Sequence, residues 1–156
     1  MDLGEFLRFE AVVPAMKAKS KRQVLQELAG RGAVVTGLPE REIFDVLLQR
    51  ERLGSTGVGH GVAIPHGPVR GLDGIVGIFA RLERPIDFES EDGLAVDLIF
   101  TLLSPPGAGA DHLKALARIA RVLRDAAITT KLRASADASA LYALLTHAPT
   151  SAPDAA

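Results

Sequence analysis

The sequence predicts one α/β (α+β) domain, a mixed β-sheet flanked by helices. Three observations lead there. The chain has 156 residues, 47% of them hydrophobic, and a formal net charge of −1, which suits a single packed domain and rules out disorder of the whole chain. Leu94 to Leu103 is a near-continuous apolar run, the texture of a strand covered on both faces. Helical patterns come first, β-rich segments come next and helical patterns return, an order that packs helices on a mixed sheet.

Taken in order, Ala11-Val12-Val13-Pro14 reads as a short strand, closed by a proline that cannot donate to a ladder. Ser20-Lys21-Arg22-Gln23 is a capping box. Val24, Leu25 and Leu28 then keep helical spacing up to Gly30 and Gly32, which stop the helix. Pro39 suits the first turn of a second helix, with Glu40 and Glu42 favoured by its N-terminal dipole. Ile43, Val46 and Leu47 form its buried stripe, and Arg50 and Arg52 its basic last turn before Gly54.

Glycines punctuate the chain from Gly54 to Gly74. Within that stretch Val62-Ala63-Ile64 reads as a short strand ended by Pro65, with a loop to about Asp73. Ile75 to Leu82 is a strand, Pro85 to Phe88 a short edge strand, and Leu94 to Leu103 a strand covered on both faces. Pro105, Pro106, Gly107 and Gly109 make a turn. A long helix begins at about Asp111, with Leu113, Leu116, Ala117, Ala120 and Leu123 on one face. Further helix is expected over Thr129 to Arg133 and Ala138 to His147. The domain is placed at 1–148, and the small, polar stretch 149–156 is expected to be a disordered tail.

Composition narrows the function classes. Without cysteine there is neither a disulfide scaffold nor a thiolate metal site. Met1 to Glu5 lacks the cationic and apolar regions of a signal peptide, and the longest apolar run falls far short of the ~20 residues that span a bilayer. A cytoplasmic protein with no membrane insertion is expected. Near-neutral charge, one Tyr and no Trp argue against nucleic acid as a partner.

Chemistry centres on four histidines. His147 stands at a helix end, where a histidine is an ordinary partner of the dipole. His66 is different: it lies in Ile64-Pro65-His66-Gly67, at the junction of a strand and a loop. Proline fixes its own φ and extends the residue before it, and glycine leaves room for a close approach. A group that titrates near neutrality is thereby held rigid on one side and open on the other. Gly57-Val58-Gly59-His60-Gly61 is not G-x-G-x-x-G and leads into a strand, so it reads as turns around a site. His60, His66 and His112 could in principle meet as three nitrogen ligands, but their spacing has no helical logic and H-E-x-x-H is missing. No metal and no cofactor is expected. G-x-S-x-G is missing too, which disfavours a serine hydrolase.

Glu51, six residues, Val58-Gly59, two residues and Val62-Ala63-Ile64-Pro65-His66-Gly67 together resemble the signature of the fructose/mannitol/nitrogen-type EIIA domain of the bacterial phosphotransferase system. The resemblance runs from about Ser20 to His147 and implies a mannitol/fructose-like EIIA fold. It implies that His66 is the phosphoacceptor, that Arg50 matches the arginine before the motif's opening acid, and that His112, in His112-Leu113, matches a second active-site histidine. The stand-alone format and Gly54-Ser55-Thr56-Gly57-Val58-Gly59 look most like the nitrogen-related branch, which usually has Asn where this chain has His60.

The resemblance therefore implies a phosphocarrier that takes phosphate from an HPr-type protein and signals to regulatory targets, such as potassium transport or a sensor kinase. A sugar-specific EIIA feeding a IIB component is the alternative, and a non-catalytic interaction module the alternative of another class. The physics is coherent: neutral imidazole is a nucleophile, and phosphoryl transfer needs mostly positioning and charge stabilisation. His112 near a helix N-terminus supplies a donor and a favourable dipole. Arg50 supplies either a fork of donors or an ordinary surface charge at a helix end. Glu51 reads as structural, orienting Arg50.

Overall fold

Residues 1–147 are described by a computed structural model. The apolar run predicted as a strand covered on both faces is β6 (Val96–Ser104), whose residues are all buried except Asp97. Around it lie β1 (Leu7–Met16), β2 (Gly57–Gly59), β3 (Val62–Ala63), β4 (His66–Pro68) and β5 (Val76–Ile86) in one mixed sheet. The order is β1-β5-β6-β3-β2, with β4 also paired to β6. β5 runs antiparallel to β6, while β3 and β4 run parallel to it, one after the other along the same side. One turn of 3-10 helix (Leu3–Glu5) and five α-helices complete the elements of the described residues: α1 (Lys21–Thr36), α2 (Glu40–Arg52), α3 (Gly109–Arg124), α4 (Ala126–Arg133) and α5 (Ala138–Thr146). The core they cover includes Phe79, Phe88 and Phe100, and takes Leu25 and Leu28 from α1, Ile43 and Leu47 from α2, and Ile119 from α3. No helix among these residues is long and apolar enough to cross a membrane.

Local chemistry explains the boundaries. The Ser20 hydroxyl accepts from the Gln23 N–H at 3.1 Å, and the Gln23 side chain reaches back to the Lys19 N–H at 2.8 Å. Asp125 and Asp137 cap α4 and α5 in the same way. The expected stop at Gly30 and Gly32 does not occur. A Cβ at Gly32 would stand 3.2 Å from Ile78 Cδ1 and 3.3 Å from Ile43 Cδ1, so this glycine lets α1 lie close to β5 and α2. The helix ends at Gly37, whose φ of 77° suits a C-terminal cap. Pro39 is the N-cap of α2 rather than a first-turn residue.

Other boundaries also shift. β1 continues through Pro14, which falls in a register irregularity between Val13 and Met16 of an edge strand paired only with β5, a place where a missing N–H is tolerated. Pro85 to Phe88 is not a separate edge strand, because β5 continues through a register irregularity until Ile86 meets Val96. The loop expected from Pro65 to Asp73 contains β4, a three-residue ladder that depends on β6. On α3 the buried stripe is Ala115, Arg118, Ile119, Val122 and Leu123, whereas Leu113 is 67% exposed and Ala117 also faces outward. The expected tail at 149–156 lies outside the described residues.

The corner from α2 into β2 is built on a buried carboxylate. Glu51 accepts from the Thr56 N–H at 2.9 Å and hydroxyl at 2.6 Å, and from Lys21 Nζ at 2.9 Å. Lys21 also binds Glu89 at 2.8 Å and sits 4.9 Å from the centre of the Phe88 ring. Burial works against the ammonium charge, but the two carboxylates outweigh it and raise the Lys21 pKa. Glu51→Ala leaves the lysine and the Thr56 N–H without this acceptor. We expect it to cost about 3 kcal/mol, read as a lower midpoint in urea unfolding; an unchanged midpoint would contradict this role.

Candidate active site

His66 opens β4, and the residues around it fix both its place and its ring. Its backbone is in register with Leu102 of β6, and the Pro65 carbonyl accepts from the Leu102 N–H at 3.0 Å. His66 Nδ1 donates to the Ile64 carbonyl at 2.7 Å. A carbonyl oxygen can only accept, so Nδ1 carries the proton and the neutral ring keeps its lone pair on Nε2.

Gly67 lets α2 approach. A Cβ there would fall 2.5 Å from Val46 Cγ1, so only glycine allows this contact without rearrangement. The close packing of α2 on β4 brings the last turn of α2 to the same cavity as His66. This cavity of about 530 Å³ is lined by Val46, Arg50, Leu53, His66, Pro68 and His112, among others. Arg50 donates through Nη1 to the Gly54 carbonyl at 2.9 Å, which steadies the guanidinium at the helix end. Leu53, 85% exposed, forms an apolar rim.

His112 enters from the first turn of α3. Its ring centroid lies 5.3 Å from that of His66, with the planes tilted by 54°, and its Nδ1 is hydrogen-bonded to the Ser104 hydroxyl. Burial holds the His66 pKa below the ordinary imidazole value. The nearby Arg50 charge pushes the same way, while the bond to Ile64 and the Glu51 carboxylate oppose it. His112 is lowered by burial and then by His66. Both shifts favour the neutral ring at neutral pH, the form in which an imidazole nitrogen keeps a lone pair.

The structure thus brings His66, His112 and Arg50 together. It leaves His60 elsewhere, in the β2–β3 turn, lining a separate cavity of about 990 Å³ with Asp97, Arg124 and Arg133. The His60 backbone has φ of 57°, with its N–H bound to Asp92 at 2.8 Å and its carbonyl to Arg133 Nη2 at 2.8 Å. Histidine and asparagine are among the few non-glycine residues that enter this left-handed region readily, so the demand at position 60 is on the backbone. Among the described residues no group of three His, Cys, Asp or Glu could hold a metal ion. The expectation that Glu51 orients Arg50 is corrected: the Glu51 oxygens are bonded to Thr56 and Lys21, and the Gly54 carbonyl holds Arg50. Sequence reasoning missed Ser104 and the Ile64 carbonyl, since a serine ending an apolar run and a backbone oxygen carry no signature.

Residues 5–148 match the family described as phosphoenolpyruvate-dependent sugar phosphotransferase system, EIIA 2. The chain belongs to this family. Among its relatives, a nitrogen regulatory protein of Bradyrhizobium diazoefficiens is 60% identical over 97% of this chain and 99% of its own. The crystal structure of nitrogen regulatory protein IIA-Ntr from Neisseria meningitidis superposes with a TM-score of 0.87 at 36% identity, covering 92% of this chain and 99% of that one. A fructose-specific EIIABC component of Bacillus subtilis is more distant, 31% identical over 79% of this chain, which spans only 20% of that protein.

The lowered imidazole values in this EIIA domain set a pH signature. Because the unfolded chain binds the protons more readily, neutral His66 and His112 contribute stability that is complete above about 6.5. That contribution is lost as the pH falls through the lower values of the folded state. Histidine NMR titrations should give midpoints below about 6.5 for both rings, and Arg50→Ala should raise that of His66. A His66 midpoint at or above the ordinary imidazole value would contradict the burial argument.

Proposed function

We propose that this chain is a phosphocarrier in which His66 Nε2 accepts a phosphoryl group from the phosphohistidine of an HPr-type protein. The observation that carries this reading is the bond from His66 Nδ1 to the Ile64 carbonyl. It leaves a bare Nε2 in a cavity shared with Arg50 and His112. The donor's N–P bond breaks as the Nε2–P bond forms. The donor ring, protonated on its other nitrogen, leaves as neutral imidazole with its lone pair recovered, while His66 keeps its Nδ1 proton and takes over the ring's positive charge, so no further reactant is needed.

Charge develops on the equatorial phosphoryl oxygens. Arg50 meets it as a permanent cation, its fork only partly used by Gly54. His112 meets it from the first turn of α3, where backbone N–H groups and the helix dipole also favour an anion. Leu53 and Leu113 are the exposed apolar side chains nearest in sequence to Arg50 and His112, and they suit a partner that brings its own phosphohistidine into contact.

The reading extends to a cytoplasmic regulator of the nitrogen-related branch, whose phosphorylation state alters binding to targets such as a potassium transport system or a sensor kinase. The 60% identity to a nitrogen regulatory protein supports that branch over sugar uptake. Intact mass after incubation with phosphoenolpyruvate, enzyme I and an HPr-type donor tests it. Wild type should gain one acid-labile phosphoryl group and His66→Ala none. Arg50→Ala should slow acceptance by roughly 10²-fold. Absence of any adduct would favour a non-catalytic interaction module, and onward transfer to a purified IIB protein would favour the sugar-specific alternative.

A further inference from the structure

We propose that Ser104 is a positioning residue for phosphoryl acceptance: its hydroxyl donates to His112 Nδ1, holds that ring in the Nε2–H form and so supplies the cavity with a donor rather than a second nucleophile. The proposal rests on the phosphocarrier reading of His66.

Ser104 ends β6 and is buried. Its backbone is in register with Pro68 of β4, and its carbonyl accepts from the Val69 N–H at 2.8 Å. It stands two residues beyond Leu102, the register partner of His66, so strand alternation puts Ser104 and Leu102 on one face of the sheet. The serine is thus fixed by the same short ladder that fixes His66.

Among the described residues the Ser104 hydroxyl has one partner, His112 Nδ1. Were Nδ1 to donate, the buried hydroxyl proton would have no acceptor, which is unfavourable. With the hydroxyl donating, its proton and the ring nitrogen are both satisfied, and the His112 proton must lie on Nε2. His66 is held the opposite way, with Nδ1 protonated by the demand of the Ile64 carbonyl and Nε2 bare. Two imidazoles 5.3 Å apart therefore carry complementary tautomers. One attacks phosphorus and the other donates to a phosphoryl oxygen. Released from Ser104, His112 would also sample the form with a bare Nε2, whose lone pair repels those oxygens and competes as an acceptor.

Long-range proton–nitrogen correlation spectra of the full chain, at a pH where both rings are neutral, read the tautomers directly. Wild-type His112 should show a protonated Nε2 and a bare Nδ1. Ser104→Ala should show a mixture and accept phosphate from the HPr-type donor roughly tenfold more slowly, the scale of one hydrogen bond. Ser104→Thr should restore both. A wild-type His112 protonated on Nδ1, or a folded Ser104→Ala that matches wild type in rate, overturns the proposal. Should Ser104→Ala not fold, the wild-type tautomer and the rate of Ser104→Thr decide. Failure of wild type to gain any phosphate would sink the phosphocarrier reading instead, and the tautomer spectrum distinguishes the two failures.

Discussion

A strand buried on both faces has little water to satisfy its backbone, so the N–H and carbonyl groups of β6 have to be met by the chain on either side. On one side β5 does this in a long antiparallel ladder. On the other, the work is divided. β3 pairs with Leu98 and Ile99, β4 pairs with Leu102 to Ser104, and the Pro65 carbonyl takes the Leu102 N–H. The carbonyl just before that handover, Ile64, goes to the His66 ring. The candidate site is thus a by-product of how a central strand is kept satisfied: the interruption between two short parallel strands is where a backbone acceptor becomes available to a side chain.

Two kinds of electrostatic environment lie close together at this end of the sheet. Glu51, almost fully buried, is surrounded by Thr56 and Lys21 and is committed to structure. His66, His112 and Arg50 line an open cavity, where the Ile64 carbonyl leaves His66 Nε2 bare and the Gly54 carbonyl uses only part of the Arg50 fork. Neighbours in sequence, Arg50 and Glu51 therefore serve different purposes. One turn of α2 sends the acid inward to hold the corner into β2 and leaves the arginine at the cavity.

Much of this was legible in the sequence. The central strand announced itself as an apolar run, and the Ser20 capping box fixed the start of α1. The resemblance singled out His66, His112 and Arg50, which the fold brings to one cavity. What the sequence hid was mostly non-local. A glycine that stops an isolated helix can instead be a packing surface, as Gly32 is against Ile78 and Ile43. A proline that ends a central strand is harmless on an edge, as Pro14 is in β1. Three residues such as His66-Gly67-Pro68 have no strand propensity of their own and pair because β6 is there to pair with. The partner of His112 is equally non-local: a serine eight residues earlier reaches its ring only after β6 and α3 have turned on each other.

The Ile64 carbonyl belongs to the main chain, and this sets which kinds of change the orientation of His66 can survive. Exchanging the side chain at position 64 alters an apolar wall but cannot delete the oxygen that orients His66. Only a change in the path of the backbone can, and Pro65 restrains that path by keeping the preceding residue out of the helical region. The orientation of the His66 ring is stored in the course of the chain, beyond the reach of most single substitutions.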